Sequence, residues 1–232
     1  GSGLFPWHSN PALSKTDIEE ARRAIPENLF RQEYYCEWAV FEGQIYKIDE
    51  DQHYLDLTSE EAPYRIEPGN ENFSFIAGLD IGFRDDTAFV VVATDDTNYF
   101  VVDEYVASEG TTSQHAEQIQ ELVDYWNIET IFIDSAAQQT KADLAYDYDI
   151  ACDDAVKSVN DGIAHLQSLV ENNRLIFDTQ RCDRTFSSMA QYRWNSKTDK
   201  AKPVHDWSSH CCDALRYAIY THSKRSAISI YA

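Results

Sequence analysis

Apolar side chains crowd into three runs at residues 73–81, 87–94 and 98–106, each rich in the β-branched and aromatic types that suit a buried, pleated strand. The runs are separated by Arg84-Asp85-Asp86 and Asp95-Asp96-Thr97, turn formers too few to hold a crossover, so the pattern predicts an antiparallel meander. From Thr112 the period changes. Ala116, Ile119, Leu122, Val123 and Trp126 recur at helical spacing before the chain re-enters a strand at 130–134. A helix between two strands predicts a crossover into a parallel position. The alternation continues with a helix at 141–146, a strand at 150–156, a helix at 162–171 and a short strand at 175–178. Two helices close the chain, at about 185–192 and 207–222. The predicted fold is α/β, a mixed sheet whose first three strands are antiparallel, flanked by helices.

Upstream, residues 16–24 and 27–38 read as two helices punctuated by Pro26, followed by an extended stretch at 41–48. Pro63, Pro68, Gly69 and Asn70 then break the pattern, which places a boundary at about residue 70. Residues 1–70 are expected to be a connector or the tail of another domain, with Gly1-Ser2-Gly3 a cloning scar, and residues 71–232 a domain with its own core. With 43% hydrophobic residues among 232, the chain can bury that core and is not a disordered one. No apolar run approaches the roughly 18 residues of a bilayer span. The cysteines, Cys36, Cys152, Cys182, Cys211 and Cys212, form no C-x-x-C pair, which argues against a disulfide framework or a cysteine zinc knuckle and for a reducing cytoplasm.

The formal charge of −21 argues at first against a polyanionic partner. It is unevenly spread: residues 1–68 carry 6 basic and 14 acidic groups, residues 69–180 carry 4 and 22, and residues 181–232 carry 9 and 4. The basic groups near the C-terminus include Arg193, Lys197, Lys200 and Lys202, interleaved with Tyr192, Trp194 and Trp207, a composition suited to tracking a phosphate backbone. A solvated basic face accounts for the same charge.

Three carboxylates stand out by context. Asp80 closes the apolar run Gly78-Leu79-Asp80-Ile81-Gly82, and Asp134 closes Ile131-Phe132-Ile133-Asp134-Ser135. If the two strands are neighbours, about 5 Å apart, their acids converge, and like charges so placed call for a cation or a shared proton. Oxygen-only ligands suit magnesium or manganese. The third acid, Asp213, lies on the terminal helix three residues after His210, on nearly the same face. His205 and Asp206 are weaker candidates, Asp206 suiting the start of that helix, and Asp85 and Asp86 read as turn residues.

In this combination the sequence resembles the C-terminal nuclease domain of the large terminase subunit of tailed viruses, a member of the RNase H-like superfamily. The likeness is carried by Gly-Leu-Asp80-Ile-Gly, Phe-Ile-Asp134-Ser-Ala and His210-Cys-Cys-Asp213-Ala-Leu-Arg-Tyr-Ala, supported by the run from Lys157 to Ile163 and by Tyr192-Arg193-Trp194 ahead of a polar hairpin-like stretch up to Pro203. It spans about residues 73–222, and residues 26–44 look like the segment that joins a terminase motor domain to its nuclease. The resemblance implies that Asp80, Asp134 and Asp213 hold two divalent cations, with His210 auxiliary, and that double-stranded viral DNA is cut during genome packaging. It further implies an ATPase motor domain in the full-length protein, a small terminase subunit and a portal as partners, and action in the host cell cytoplasm.

Rival readings are a sugar or acetate kinase-like ATPase sharing Asp80, Gly82 and Thr87, a junction resolvase or transposase of the same fold, and a non-catalytic docking module of the packaging motor. The first lacks the glycine-rich phosphate loops that such enzymes need.

Overall fold

The computed structural model describes residues 43–82, 86–108, 110–195 and 202–229. Their elements, in chain order, are α1 (Glu50–His53), β1 (Tyr54–Leu55), β2 (Ser74–Asp80), β3 (Thr87–Thr94), β4 (Tyr99–Ala107), α2 (Thr112–Trp126) and β5 (Thr130–Ile133). After these come α3 (Gln138–Tyr148), β6 (Cys152–Asp154), α4 (Val159–Glu171), β7 (Leu175–Asp178), α5 (Asp183–Gln191) and α6 (Ser209–Ser229). The helices expected at 16–24 and 27–38 lie outside the described residues, as do Cys36, Asp85, Lys197 and Lys200.

The seven strands form a sheet in the order β1-β7-β4-β3-β2-β5-β6. β2, β3 and β4 pair antiparallel, as the short turns between them require, whereas β5 joins β2, β6 joins β5, β7 joins β4 and β1 joins β7 in parallel. β3 lies at the centre, and every one of its residues is buried, which is why it reads as an unbroken apolar run without alternation.

Each face of the sheet has its own helices. Phe75, Ala77 and Leu79 of β2 join Ala116, Ile119 and Trp126 of α2 and Leu144 of α3 in one apolar cluster. The alternate residues of β2 point the other way, toward α6, which packs on β2, β3 and β5 and is flanked by α4 and α5. α2 begins on a capping box between Thr111 and Gln114 and ends on Asn127 in the left-handed conformation, so both of its boundaries are set by local chemistry. No described helix is long and apolar enough to cross a membrane.

From Gly43 onward the described residues form a single compact unit, the larger of the two into which the chain divides. The break in composition near residue 70 therefore falls inside the larger unit. Ile45, Tyr46, Leu57 and Ile66, all upstream of it, are buried. β1 reaches the sheet edge by pairing Tyr54 with Phe177 and Leu55 with Asp178. Two residues carry too little pattern to be seen in sequence as a strand. The extended stretch expected at 41–48 is used in part, since the Ile45 amide donates to the Tyr192 carbonyl at 2.8 Å and Gln44 bridges Arg193.

Candidate active site

β2 and β5 are adjacent and parallel, with Leu79 opposite Ile133. Asp80 and Asp134 each come one residue later, so two acids leave the sheet side by side at the same end, about 5 Å apart in the backbone. Alternation sets the face. Leu79 and Ile133 lie in the cluster under α2, so Asp80 is turned to the opposite side, where α6 lies, and Asp134 follows Phe132, whose ring lies under the Arg225 guanidinium of α6.

α6 can approach because β2 has a glycine at position 78. A Cβ there would fall 1.8 Å from the Ala214 carbonyl oxygen and 3.0 Å from the Ala218 amide nitrogen. The helix backbone thus rests directly on the strand two residues before Asp80, which brings His210 and Asp213 to the strand end. His210 Nδ1 lies 2.9 Å from Asp80 Oδ2, with the carboxylate accepting. His210 is 8% exposed at its side chain, against 19% for Asp80, 25% for Asp213 and 38% for Asp134, so the three acids are reachable from solvent while the imidazole behind Asp80 is not.

Burial pushes the Asp213 carboxyl above the usual range, the Asp80 charge adds to that shift, and Arg216 and His210 oppose it. Tyr217, one turn further along α6, registers all three acids: burial raises its phenol, and Asp213, Asp80 and Asp134 raise it further. Asp80, Asp134 and Asp213 therefore share one electrostatic neighbourhood. Among the described residues, however, no three His, Cys, Asp or Glu side chains stand as a ready metal cage. Each acid is turned to its own basic partner: Asp80 to His210, Asp134 to Lys157 at 3.6 Å, and Asp213 to Arg216 at 2.8 Å. The donor set still fits a hard dication. It consists of carboxylate oxygens with no thiolate facing them, and a gathering of like charges is what such an ion relieves. All four described cysteines are buried, and burial holds every one of their thiols high.

Beside Asp213 opens a groove of about 490 Å³ lined by Ser158, Val159, Tyr192, Lys202, Val204 and His205, among others. One wall is the expected hairpin, closed by Asn195 donating to Lys202 at 2.7 Å and Val204 donating to Arg193 at 2.9 Å. Of the basic groups proposed to meet DNA, Lys202 lines the groove and Arg193 pairs with Asp206 at 3.2 Å. Several of the other described C-terminal basic residues are engaged within the fold. Arg184 pairs with Asp86 and lies over the Trp207 ring, Arg225 pairs with Asp153, and Arg216 is buried. Asp206 accepts from the Ser208 amide at 3.0 Å, ahead of α6, and Ser209 Oγ lies 3.0 Å from His205 Nδ1.

Lys157, Arg216 and Tyr217 stand inside the motif strings of the sequence, but the strings assign them no place beside the acids. The spacing of Asp213 and Arg216, three apart on a helix, was the available signal for one of them. Glu104 was missed as well. This half-buried carboxylate accepts from the Arg184 and Thr185 amides at 2.7 and 2.6 Å at the start of α5, and desolvation raises its pKa.

Residues 77–221 match the family model described as Terminase RNaseH-like domain. The chain is 40% identical over 226 residues to the large terminase subunit of Escherichia phage T5, covering 94% of this chain and 51% of that protein, so it spans about half the length of this relative. Among solved structures, the large terminase of a thermophilic bacteriophage superposes with a TM-score of 0.63 at 21% identity, over 94% of this chain and 54% of that one. The large terminase nuclease domain of bacteriophage SPP1 with bound manganese superposes with a TM-score of 0.52 at 20% identity, over 66% of this chain and 93% of that one. At such identities the structural likeness is one of fold, and it agrees with the mixed RNase H-like sheet expected from the sequence.

Proposed function

The chain belongs to the terminase RNaseH-like domain family, and from that premise we propose that it is the metal-dependent endonuclease of a large terminase subunit, cutting double-stranded viral DNA during genome packaging. The observation that carries the reading is the parallel pair β2 and β5 ending together in Asp80 and Asp134 beneath the helix that presents Asp213.

In this proposal Asp80, Asp134 and Asp213 would hold two magnesium or manganese ions, and Asp80, on the strand next to β5 and hydrogen-bonded to His210 of α6, is the acid we would expect to serve both. The manganese on the SPP1 nuclease, together with the oxygen-only donors here, supports that choice of metal. Bound there, hard dications lower the pKa of an attacking water and neutralise charge developing on the phosphodiester. The chain's own residues orient the site. His210, buried behind Asp80, fixes the direction of that carboxylate through one hydrogen bond and is the auxiliary group. Lys202, on the groove, contacts DNA phosphate together with Arg193, Lys197 and Lys200. With −21 charges on the chain, these few cations give weak affinity for DNA, so the motor domain of the full-length protein, with the small subunit and the portal, delivers the substrate in the host cytoplasm.

Supercoiled plasmid incubated with the 232-residue chain tests this. Nicked and linear products are expected with manganese or magnesium, without ATP, and none when a chelator is added. Cleavage that persists in chelator, or its absence with both metals, would contradict the proposal.

A further inference from the structure

Arg216 is 3% exposed and lies one turn beyond Asp213 on α6. Its Nη2 donates to Asp213 Oδ1 at 2.8 Å, while its buried Nη1 has no hydrogen-bond partner among the described residues. The alkyl stem crosses α4 at Gly162, where a Cβ would fall 2.7 Å from Arg216 Cδ and 2.8 Å from Cγ. The guanidinium carbon stands 4.8 Å from the centre of the Tyr217 ring. The group is thus fixed by a glycine-floored helix, an aromatic face and one carboxylate oxygen. Dehydrating a guanidinium while leaving one of its nitrogens unmatched costs stability, so a purely structural account explains it poorly. Lys157 offers the contrast. It is 61% exposed, stands 3.6 Å from Asp134, and can swing away when a better cation arrives. Arg216 has no such freedom.

We propose that Arg216 is a positioning residue of the metal site. It holds Oδ1 of Asp213, leaving Oδ2, which accepts no hydrogen bond among the described residues, as the atom offered to a dication at the mouth of the groove that Asp213 lines. The inference rests on the nuclease reading above, and it assigns the guanidinium to metal affinity rather than to contact with DNA.

Calorimetric titration of manganese into the DNA-free chain reads this without turnover. Arg216→Gln is expected to weaken binding about tenfold or more, the usual effect of removing a group that orients a ligand, and Arg216→Lys to recover part of the loss. The KM for DNA stays at the parental value while kcat at a fixed manganese concentration falls. Parental manganese affinity in a folded Arg216→Gln overturns the inference and leaves the nuclease reading standing. If circular dichroism shows that Arg216→Gln does not fold, Arg216→Lys decides: binding weaker by about three- to tenfold supports the role, and unchanged binding overturns it. A parental chain that binds no manganese and cuts no DNA removes the nuclease reading, and this inference with it.

Discussion

Asp80→Asn is expected to fold like the parent and to lose plasmid cleavage by at least about 10³-fold, the scale on which a group that stabilises transition-state charge acts. Asp80 stands at the end of β2 beside Asp134 and within the field that raises the Asp213 carboxyl. On the proposed assignment, removing its charge deprives a hard cation of one of its three carboxylate ligands. The amide keeps the shape and can still accept from His210 Nδ1, so packing is preserved. Without metal, one like-charge repulsion also disappears, and the melting temperature should stay level or rise slightly. Parental cleavage by this variant would show that the acid at position 80 is not a ligand. Loss of cleavage with collapse of the fold would assign it to structure instead.

The second large effect belongs to a residue with no chemistry of its own. Gly78→Val is expected to destabilise the unit by about 3 kcal/mol or more and to abolish cleavage. The added Cβ would meet backbone atoms, the Ala214 carbonyl oxygen at 1.8 Å and its carbon at 2.7 Å, which no rotamer change can move aside. α6 must lift from β2, and Asp213 and His210 lift with it. A urea midpoint near the parental value, with cleavage retained, would mean that close seating of the helix on the strand is not what assembles the site.

Gly78 illustrates what the sequence could and could not disclose. Its place in Gly78-Leu79-Asp80-Ile81-Gly82 marks a motif, but the reason for the glycine lies more than 130 residues away in the backbone of α6. The strands were legible because their burial is one- or two-sided and their period is local: 87–94 and 175–178 coincide with β3 and β7. α6 was legible as a helix, but its orientation was not. Residues on every side of it between Ser209 and Tyr220 are buried, between the sheet, α4 and α5, so no polar stripe marks an outer face. β6 came out shorter than expected, as Cys152–Asp154, because the apolar residues around it, Ile150 and Ala155, are buried outside the ladder.

At the site, the acids could be found because a lone carboxylate closing an apolar run is conspicuous. Their basic partners could not. Lys157 and Arg216 entered the sequence reading only through motif strings or a charge count, and charge counted along a chain says nothing about which cations are spent on neighbours within the fold. Among the described basic residues of the C-terminal segment, which the charge count left open between a phosphate-tracking and a solvated face, Arg184, Arg193 and Arg225 are engaged in ion pairs and Lys202 lines the groove.

The central claim is that three carboxylates from two strands and a helix serve the same hard cations. Anomalous scattering from a manganese-soaked crystal tests it most directly. Two peaks about 4 Å apart are expected, bound by oxygens of Asp80, Asp134 and Asp213, with Asp134 turned from Lys157 onto the ions while His210 keeps its hydrogen bond to Asp80 and Arg216 its hold on Asp213. Manganese bound elsewhere, or none of the three acids touching the metal and Asp134 still facing Lys157 in crystals saturated with it, would contradict the account.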